Sequence, residues 1–300
     1  MKKIITLILV LSIFLVVGCA QNNTRDEELS LKIGIMPAVD SAPILLADEK
    51  GYYEELGLDM DIQIYRNANN RQSALQSGEL DGTMTDLIAF VNNVENGFEI
   101  KITTSTDGSF PFLLNKDFEE KEEVRIGMMQ VSVSNFLSEK FLADEYRLDK
   151  VFIPAIPTRL EMIVSGGLDM AIIPEPMASM GELKGLEKRV YKNPDDYMPE
   201  AMVFTSTALE EKERSIQLFH QAYNKAVEDI MKNDSEARDV MLERLELNPD
   251  IKDLIVMPEY HLTRVPDQEY MNQIINWVEN IQGIEIDIPY EEMVERKFLN

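Results

Sequence analysis

Apolar positions along this chain switch repeatedly between a period of two and a helical period. Leu31, Ile33 and Ile35 alternate with Lys32 and Gly34, the rhythm of a strand, and the run stops at Pro37. Pro43 to Lys50 then carries apolar residues at helical spacing, with Pro at the start and Gly51 at the end. Asp61 to Tyr65 predicts a second strand, Leu87 to Val94 a helix, and Glu99 to Ser105 a strand. Val124 to Met129 starts the rhythm again. A polar loop from Gln130 to Asn135 follows, then a helix ending near Tyr146, and strand, helix and strand at Val151 to Pro154, Thr158 to Val164 and Asp169 to Ile173. Phe110 to Leu114 is expected in a first crossover between the two halves and Ala201 to Ser206 in the returning one, with Lys116 to Glu123 a solvated turn. The remainder is helical. Thr207-x-x-Glu210 fits a capping box, and Ile216, Phe219, Tyr223, Val227 and Ile230 fall on one stripe. Further helices are expected over Ser235 to Leu245 and, entered through Asp267, along Met271, Ile274, Ile275, Val278 and Ile281.

The two halves share a local repeat. RQSALQSGELDGTMTD, from Arg71 to Asp86, returns 88 residues later as RLEMIVSGGLDMAIIPE, from Arg159 to Glu175. Arg71 and Arg159, Ser77 and Ser165, Gly78 and Gly166, Leu80 and Leu168, and Asp81 and Asp169 match at fixed spacing. Each copy reads as a helical turn ended by a glycine at the left-handed position, followed by a buried strand. Two α/β halves follow, and in open α/β sheets ligands bind at the carboxyl ends of strands.

Lys2 and Lys3 precede an apolar-dominated run from Ile4 to Val17, then Gly18-Cys19. The run is short for a membrane span and has the layout of an export signal. Leu15-Val16-Val17-Gly18-Cys19 resembles the lipobox of bacterial lipoproteins, which implies lipidation of Cys19, the one cysteine in 300 residues. Residues Ala20 to Glu28 are polar and read as a tether. The net charge of −25 repels nucleic acid and anionic lipid and suits solubility outside the cytoplasm. With 45% apolar residues, including 12 Phe, 10 Tyr and 17 Met, the chain can fill two cores.

The apolar first strand, the Ala-Pro helix start, Ala47-x-x-x-Gly51-Tyr52-Tyr53-x-x-x-Gly57-Leu58, and Ala74-Leu75-Gln76-Ser77-Gly78-Glu79-Leu80-Asp81 together resemble the substrate-binding proteins of ABC importers for nitrate, alkanesulfonates, taurine and thiamine precursors. The resemblance runs from Ile33 to Asp86, and more loosely through Glu175. It implies an α/β, two-lobed type II periplasmic-binding fold, each lobe a mostly parallel sheet flanked by helices, joined by two crossover strands. The expected division is a signal peptide over 1–18, a tether over 19–30, lobe 1 over 31–110 and 206–300, and lobe 2 over 111–205. The resemblance also implies a small-molecule ligand, an ABC permease with its ATPase as partner, a membrane attachment through Cys19, and a monomer with neither cofactor nor metal.

A cleft between such lobes draws its polar groups from loops at strand ends. Asp40, Ser41, Asp86, Thr106 and Asp107 are the candidates from the first half; Ser132, Ser134, Asn135 and Glu175 come from the second. Asp40 with Ser41, Asp86, and the Ser132 to Asn135 group each also fit a helix cap. Glu175 lies between Pro174 and Pro176, which fix its backbone. Tyr65, Phe110, Phe112, Phe136, Met128 and Met129 are possible walls, with core packing the commoner use. These loops hold several carboxylates and no adjacent Lys or Arg, although Arg66, Arg71 and Arg159 are within reach. Arg71 and Arg159, at equivalent repeat positions, suit a structural role or a face toward the transporter. The acidic loops suggest a cationic or neutral hydrogen-bonding ligand, such as a thiamine-precursor pyrimidine or another amine-bearing heterocycle, with alkanesulfonate, taurine or nitrate as the alternative. An enzyme on the same fold, a lyase or synthase, is the competing class. Against it, the mature chain has no thiol, His220 and His261 lie far apart, and no phosphate loop, HExxH or GxSxG occurs. His220 reads as structural.

Overall fold

The computed structural model describes residues 29–299. The expected signal peptide, most of the expected tether and Cys19 lie outside the described residues.

Strand β1 (Ser30–Ile35) pairs in parallel with β2 (Asp59–Ile64) and β3 (Gly82–Asp86). β4 (Ile100–Ser105) completes this part of the sheet at the far edge, and the chain then leaves it. β5 (Phe112–Leu114), β6 (Glu123–Met128), β7 (Arg147–Phe152), β8 (Met170–Ile172) and β9 (Glu187–Arg189) form a second sheet, and β10 (Glu200–Thr205) returns to the first. The strand orders are β2-β1-β3-β10-β4 and β7-β6-β8-β5-β9. In both sheets the fourth position is taken by a strand antiparallel to its neighbours, β10 in one and β5 in the other. The two sheets therefore have one topology, and residues 106–111 and 190–199 are the two crossings between them. The segment expected as the returning crossover is instead buried inside the first sheet as β10. Its apolar run, Ala201 to Phe204, serves a buried strand in either place, and local sequence does not say which sheet it joins.

The repeat acquires a physical account here. Asp81 and Asp169 each clamp the neighbouring strand, their carboxylates accepting from Lys32 N–H at 2.7 Å and Arg125 N–H at 2.8 Å. Their own N–H groups donate to the carbonyls of the same two residues, at 2.8 and 2.9 Å. Gly78 and Gly166 adopt φ of +76° and +80°, the left-handed ends that the sequence predicts. Leu80 with Arg71, and Leu168 with Arg159, lie directly over Gly34 and Gly127. A methyl group at Gly127 would meet Leu168 Cδ1 at 2.5 Å and Arg159 Cγ at 3.2 Å. Gly127→Ala is accordingly expected to destabilise the protein by about 1–3 kcal/mol, measured by denaturant unfolding.

One apolar cluster joins a face of the first sheet to the helices Ala42–Glu49, Glu213–Lys232 and Ser235–Arg244. The predicted stripe of Ile216, Phe219, Tyr223, Val227 and Ile230 is buried in it. His220 sits there too, against Phe204, Phe219 and Phe298; burial pushes its pKa down to about 3, so the ring is neutral. A second cluster extends from Phe90, Ile102 and Ile274 of the first lobe to Phe112, Val124 and Phe136 of the second. The other face of the second sheet covers a smaller core around Leu113, Ile163 and Ile173. Helix Gln268–Gln282 is capped by Asp267, as expected, its carboxylate accepting from Tyr270 N–H at 2.8 Å. Thr207 does not form the expected capping box. Thr205 caps helix Ser206–Glu211, because β10 runs directly into that helix.

Candidate ligand-binding site

The carboxyl ends of β1 and β3 and the amino end of the antiparallel β10 meet at one edge of the first sheet. Each places a carboxyl group there. Asp40 lies in the short turn Val39–Ser41 after β1 and does not cap the following helix. The turn is tied by Ser41 Oγ, which donates to Ala38 O at 2.6 Å. Asp86 ends β3 and caps helix Leu87–Glu95, accepting from Ala89 N–H at 2.8 Å. Glu200, opposite Asp86 in the register, opens β10.

Arg71 stands among the three, 5% exposed, and donates from Nη2 to Thr85 Oγ1 at 3.1 Å. Asp86, Glu200 and Asp40 all act on this one guanidinium electrostatically, although its side-chain hydrogen bond goes to Thr85. Burial pushes Asp40 up to about 7, with Arg71 opposing the shift. Burial also raises Glu200 well above the usual range, reinforced by the charges of Asp40 and Asp86, so burial favours its protonated form. Asp86 is raised for the same first reason, burial. The cluster therefore sets carboxyl acceptor atoms beside a carboxyl group, Glu200, whose protonated form burial favours.

Nearby hydroxyls have hydrogen-bonding capacity to spare. Ser105 Oγ, Thr106 Oγ1 and Tyr223 OH are buried without a partner among the described residues. Thr106 joins the edge through its N–H, which donates to Glu200 O at 3.0 Å, and Tyr260 OH closes on Val39 O at 2.6 Å. Asp107 is occupied, accepting from His261 N–H at 2.8 Å and facing Nδ1 of His261 and Nη2 of Arg264. The two histidines thus stay apart: His261 beside Asp107, His220 in the core.

On the second lobe, Ser132 and Ser134 are spent on the start of helix Val133–Leu142. Ser132 accepts from Ser134 N–H at 3.2 Å, the two hydroxyls lie 2.7 Å apart, and Ser134 Oγ receives Met129 N–H at 2.9 Å. Asn135 donates to Gln130 O at 2.6 Å, leaving its buried Oδ1 unpartnered. Glu175, expected in the cleft, is 0% exposed and held by an internal network: Lys188 Nζ at 2.9 Å, Ser179 N–H and Oγ at 3.0 and 2.7 Å, and Val256 N–H at 3.2 Å. Its own carbonyl accepts Val39 N–H at 3.1 Å. Since Val39 and Val256 belong to the first lobe, Glu175 bridges the two lobes through backbone and side chain together. Trp277 of the first lobe packs edge-on to Phe136 of the second, 5.7 Å between centroids, and donates to Glu139. The lobes therefore touch at two places, around Glu175 and around Trp277.

Of the other expected walls, Phe112 and Met128 are fully buried in the core, and Tyr65 OH is engaged with Gln63 at 2.7 Å. Phe136 is buried in the second apolar cluster, and Phe110 packs half-buried against it. Arg66 points outward to Glu246 at 3.3 Å. Arg71 and Arg159 are both buried rather than presented to a partner. Glu200 was the carboxyl that local pattern did not single out.

Comparison with solved structures supports one architecture. The ligand-binding component of an ABC-type import system from Staphylococcus aureus, solved with zinc bound, superposes with a TM-score of 0.76 at 17% identity, over 90% of this chain and 97% of that one. The chain has the type II periplasmic-binding fold. The periplasmic aliphatic sulphonate binding protein SsuA of Escherichia coli matches this binding fold with a TM-score of 0.72 at 13% identity, covering 89% of this chain and 92% of that one. The periplasmic nitrate-binding protein NrtA of Synechocystis PCC 6803 gives 0.67 at 13% identity, with 90% and 92% covered. Residues 24–117 match the NMT1-like family. A comparison with curated proteins found no match.

Proposed function

We propose that this chain is an extracytoplasmic solute-binding lipoprotein, anchored through Cys19, that captures a small molecule between its lobes and delivers it to an ABC permease and its ATPase. It acts as a monomeric receptor, not as an enzyme. The ligand is read as an amine-bearing heterocycle of the thiamine-precursor kind. One observation carries that choice: Asp40, Asp86 and Glu200 are three buried carboxyl groups at the strand ends, coupled electrostatically to the single buried guanidinium of Arg71. A carboxylate acceptor beside a carboxyl group whose protonated form burial favours matches the edge of an aminopyrimidine, whose amino group donates and whose ring nitrogen accepts.

Capture works by lobe closure. Ligand contacts on both lobes favour the closed form by their differential affinity for the two states, adding to the Val39 to Glu175 link. The alternative ligand, an alkanesulfonate or nitrate, is supported by the names of the structural neighbours. The charge of the first-lobe cluster argues against an anion in that place.

A thermal-shift screen of residues 20–300 against aminopyrimidines, thiamine, riboflavin, polyamines, taurine, alkanesulfonates and nitrate tests this reading. An amine-bearing heterocycle at a hundredfold excess over its Kd is expected to stabilise the protein by about 2.7 kcal/mol. Preference for nitrate or a simple alkanesulfonate would replace the ligand and keep the receptor.

A further inference from the structure

Arg159 is the counterpart of Arg71 in the repeat, but its surroundings are different. Both stems run over a glycine of the central strand, Arg159 with Cγ at 3.2 Å and Cδ at 3.6 Å from the position of a methyl group on Gly127. Arg71 then ends at Thr85 with three carboxyl groups around it. Gly82 and Met170 occupy matching register positions beside Ile33 and Ile126, so the residues equivalent to Thr85 and Asp86 are Ile173 and Pro174. Neither offers a side-chain acceptor. Arg159 is 3% exposed, and its Nε and Nη1 have no hydrogen-bond partner among the described residues. Burial alone pushes its pKa down to about 10; no nearby charge contributes to the shift. A buried guanidinium without a counter-charge is strongly unfavourable, and its fork of donors suits a carboxylate, sulfonate or phosphate that would compensate it.

We infer that Arg159 is the anion-binding group of the second lobe, so that the captured solute is dipolar: an amine or amidine-like end on the Asp40, Asp86 and Glu200 cluster, and a carboxylate, sulfonate or phosphate on Arg159. This rests on the reading of the cleft as a solute site and narrows its ligand. It also gives closure a cause. Each end of a dipolar solute is satisfied by a different lobe, so neither lobe alone compensates both charges.

The test uses a matched pair, 4-amino-5-hydroxymethylpyrimidine and its phosphate ester, with isothermal titration on wild-type protein, Arg159→Met and Asp40→Asn. Methionine keeps an apolar stem over Gly127 and removes the guanidinium with its charge and donors. Wild type is expected to bind the ester at least about tenfold tighter than the alcohol, as a charge-assisted contact supplies. Arg159→Met is expected to bind both alike and, without ligand, to melt no lower than wild type, because an uncompensated buried charge has gone. Equal binding of ester and alcohol by wild type, or an ester advantage that persists in Arg159→Met, overturns the inference. Loss of both ligands in Asp40→Asn keeps the first-lobe reading separate from this one. Should neither pyrimidine bind, so that the ligand class is wrong, sodium sulfate still decides. A larger rise in melting temperature for wild type than for Arg159→Met upholds the anion site, and equal rises overturn it.

Discussion

Glu175→Ala is expected to lower the stability of the protein by about 3–5 kcal/mol, the usual cost of stripping one partner from a buried ion pair. The carboxylate is fully buried and Lys188 is 5% exposed, so the loss leaves an ammonium in a dry environment. It also leaves Ser179 N–H and Val256 N–H without their acceptor. Two contacts moderate the damage: Lys188 keeps Glu182 at 2.6 Å, a partner only 35% exposed, and Leu254 O at 2.5 Å. The lower half of the range is therefore the better expectation. Glu175→Gln should lose less, because an amide still accepts from Ser179. Denaturant unfolding measures the stability. Small-angle scattering measures a second consequence, since Val256 and Leu254 lie on the first lobe: the alanine variant should populate a more open form and expand. A variant that unfolds near wild type would show that the pair is solvated and that Glu175 faces the cleft after all.

What the sequence made readable was whatever depends on neighbours in the chain. The five matched positions of the repeat turned out to be one structural device used twice: a clamp by Asp81 or Asp169, a left-handed glycine, and an arginine stem over a glycine. The stripe from Ile216 to Ile230 was readable because its spacing alone decides which face is buried. The placement of β10 was not, since a strand entering between β3 and β4 from about 100 residues away leaves no local mark. Glu200 escaped for the same reason, because its position opposite Asp86 follows from that insertion. Glu175 was noticed for the prolines around it, but Lys188, which decides its role, lies on another strand of the lobe. From the sequence, the strand ends Thr85-Asp86 and Pro174-Glu175 are expected to occupy equivalent places; the register instead matches Thr85-Asp86 with Ile173-Pro174. Only the shared register of β3 and β8 makes those pairs equivalent.

Affinity for an amine ligand is expected to fall as the pH drops below about 7, by up to about tenfold per unit, and Asp40→Asn is expected to be weak at every pH. Burial raises Asp40 to about 7, so above that value it is the carboxylate facing the ligand, and below it the site loses one negative charge. The same shift acts on ligand-free stability with the opposite sign. A carboxyl whose folded pKa lies above its unfolded value of 3.8 contributes stability that is complete below 3.8 and lost as the pH rises through about 7. Surface carboxylates behave otherwise. Hydrogen bonds from Tyr146 and Tyr52 hold Glu120 and Asp229 below their usual values, so what those groups contribute is lost on acidification. Titration calorimetry from pH 5.5 to 8.5, corrected for protonation of the ligand itself, together with melting curves of the ligand-free protein, separates the two kinds of group. Wild type should bind more weakly toward acid while losing less stability there than Asp40→Asn, whose amide cannot take up the proton. Parallel stability profiles for the two proteins would place Asp40 in water and remove it from the site.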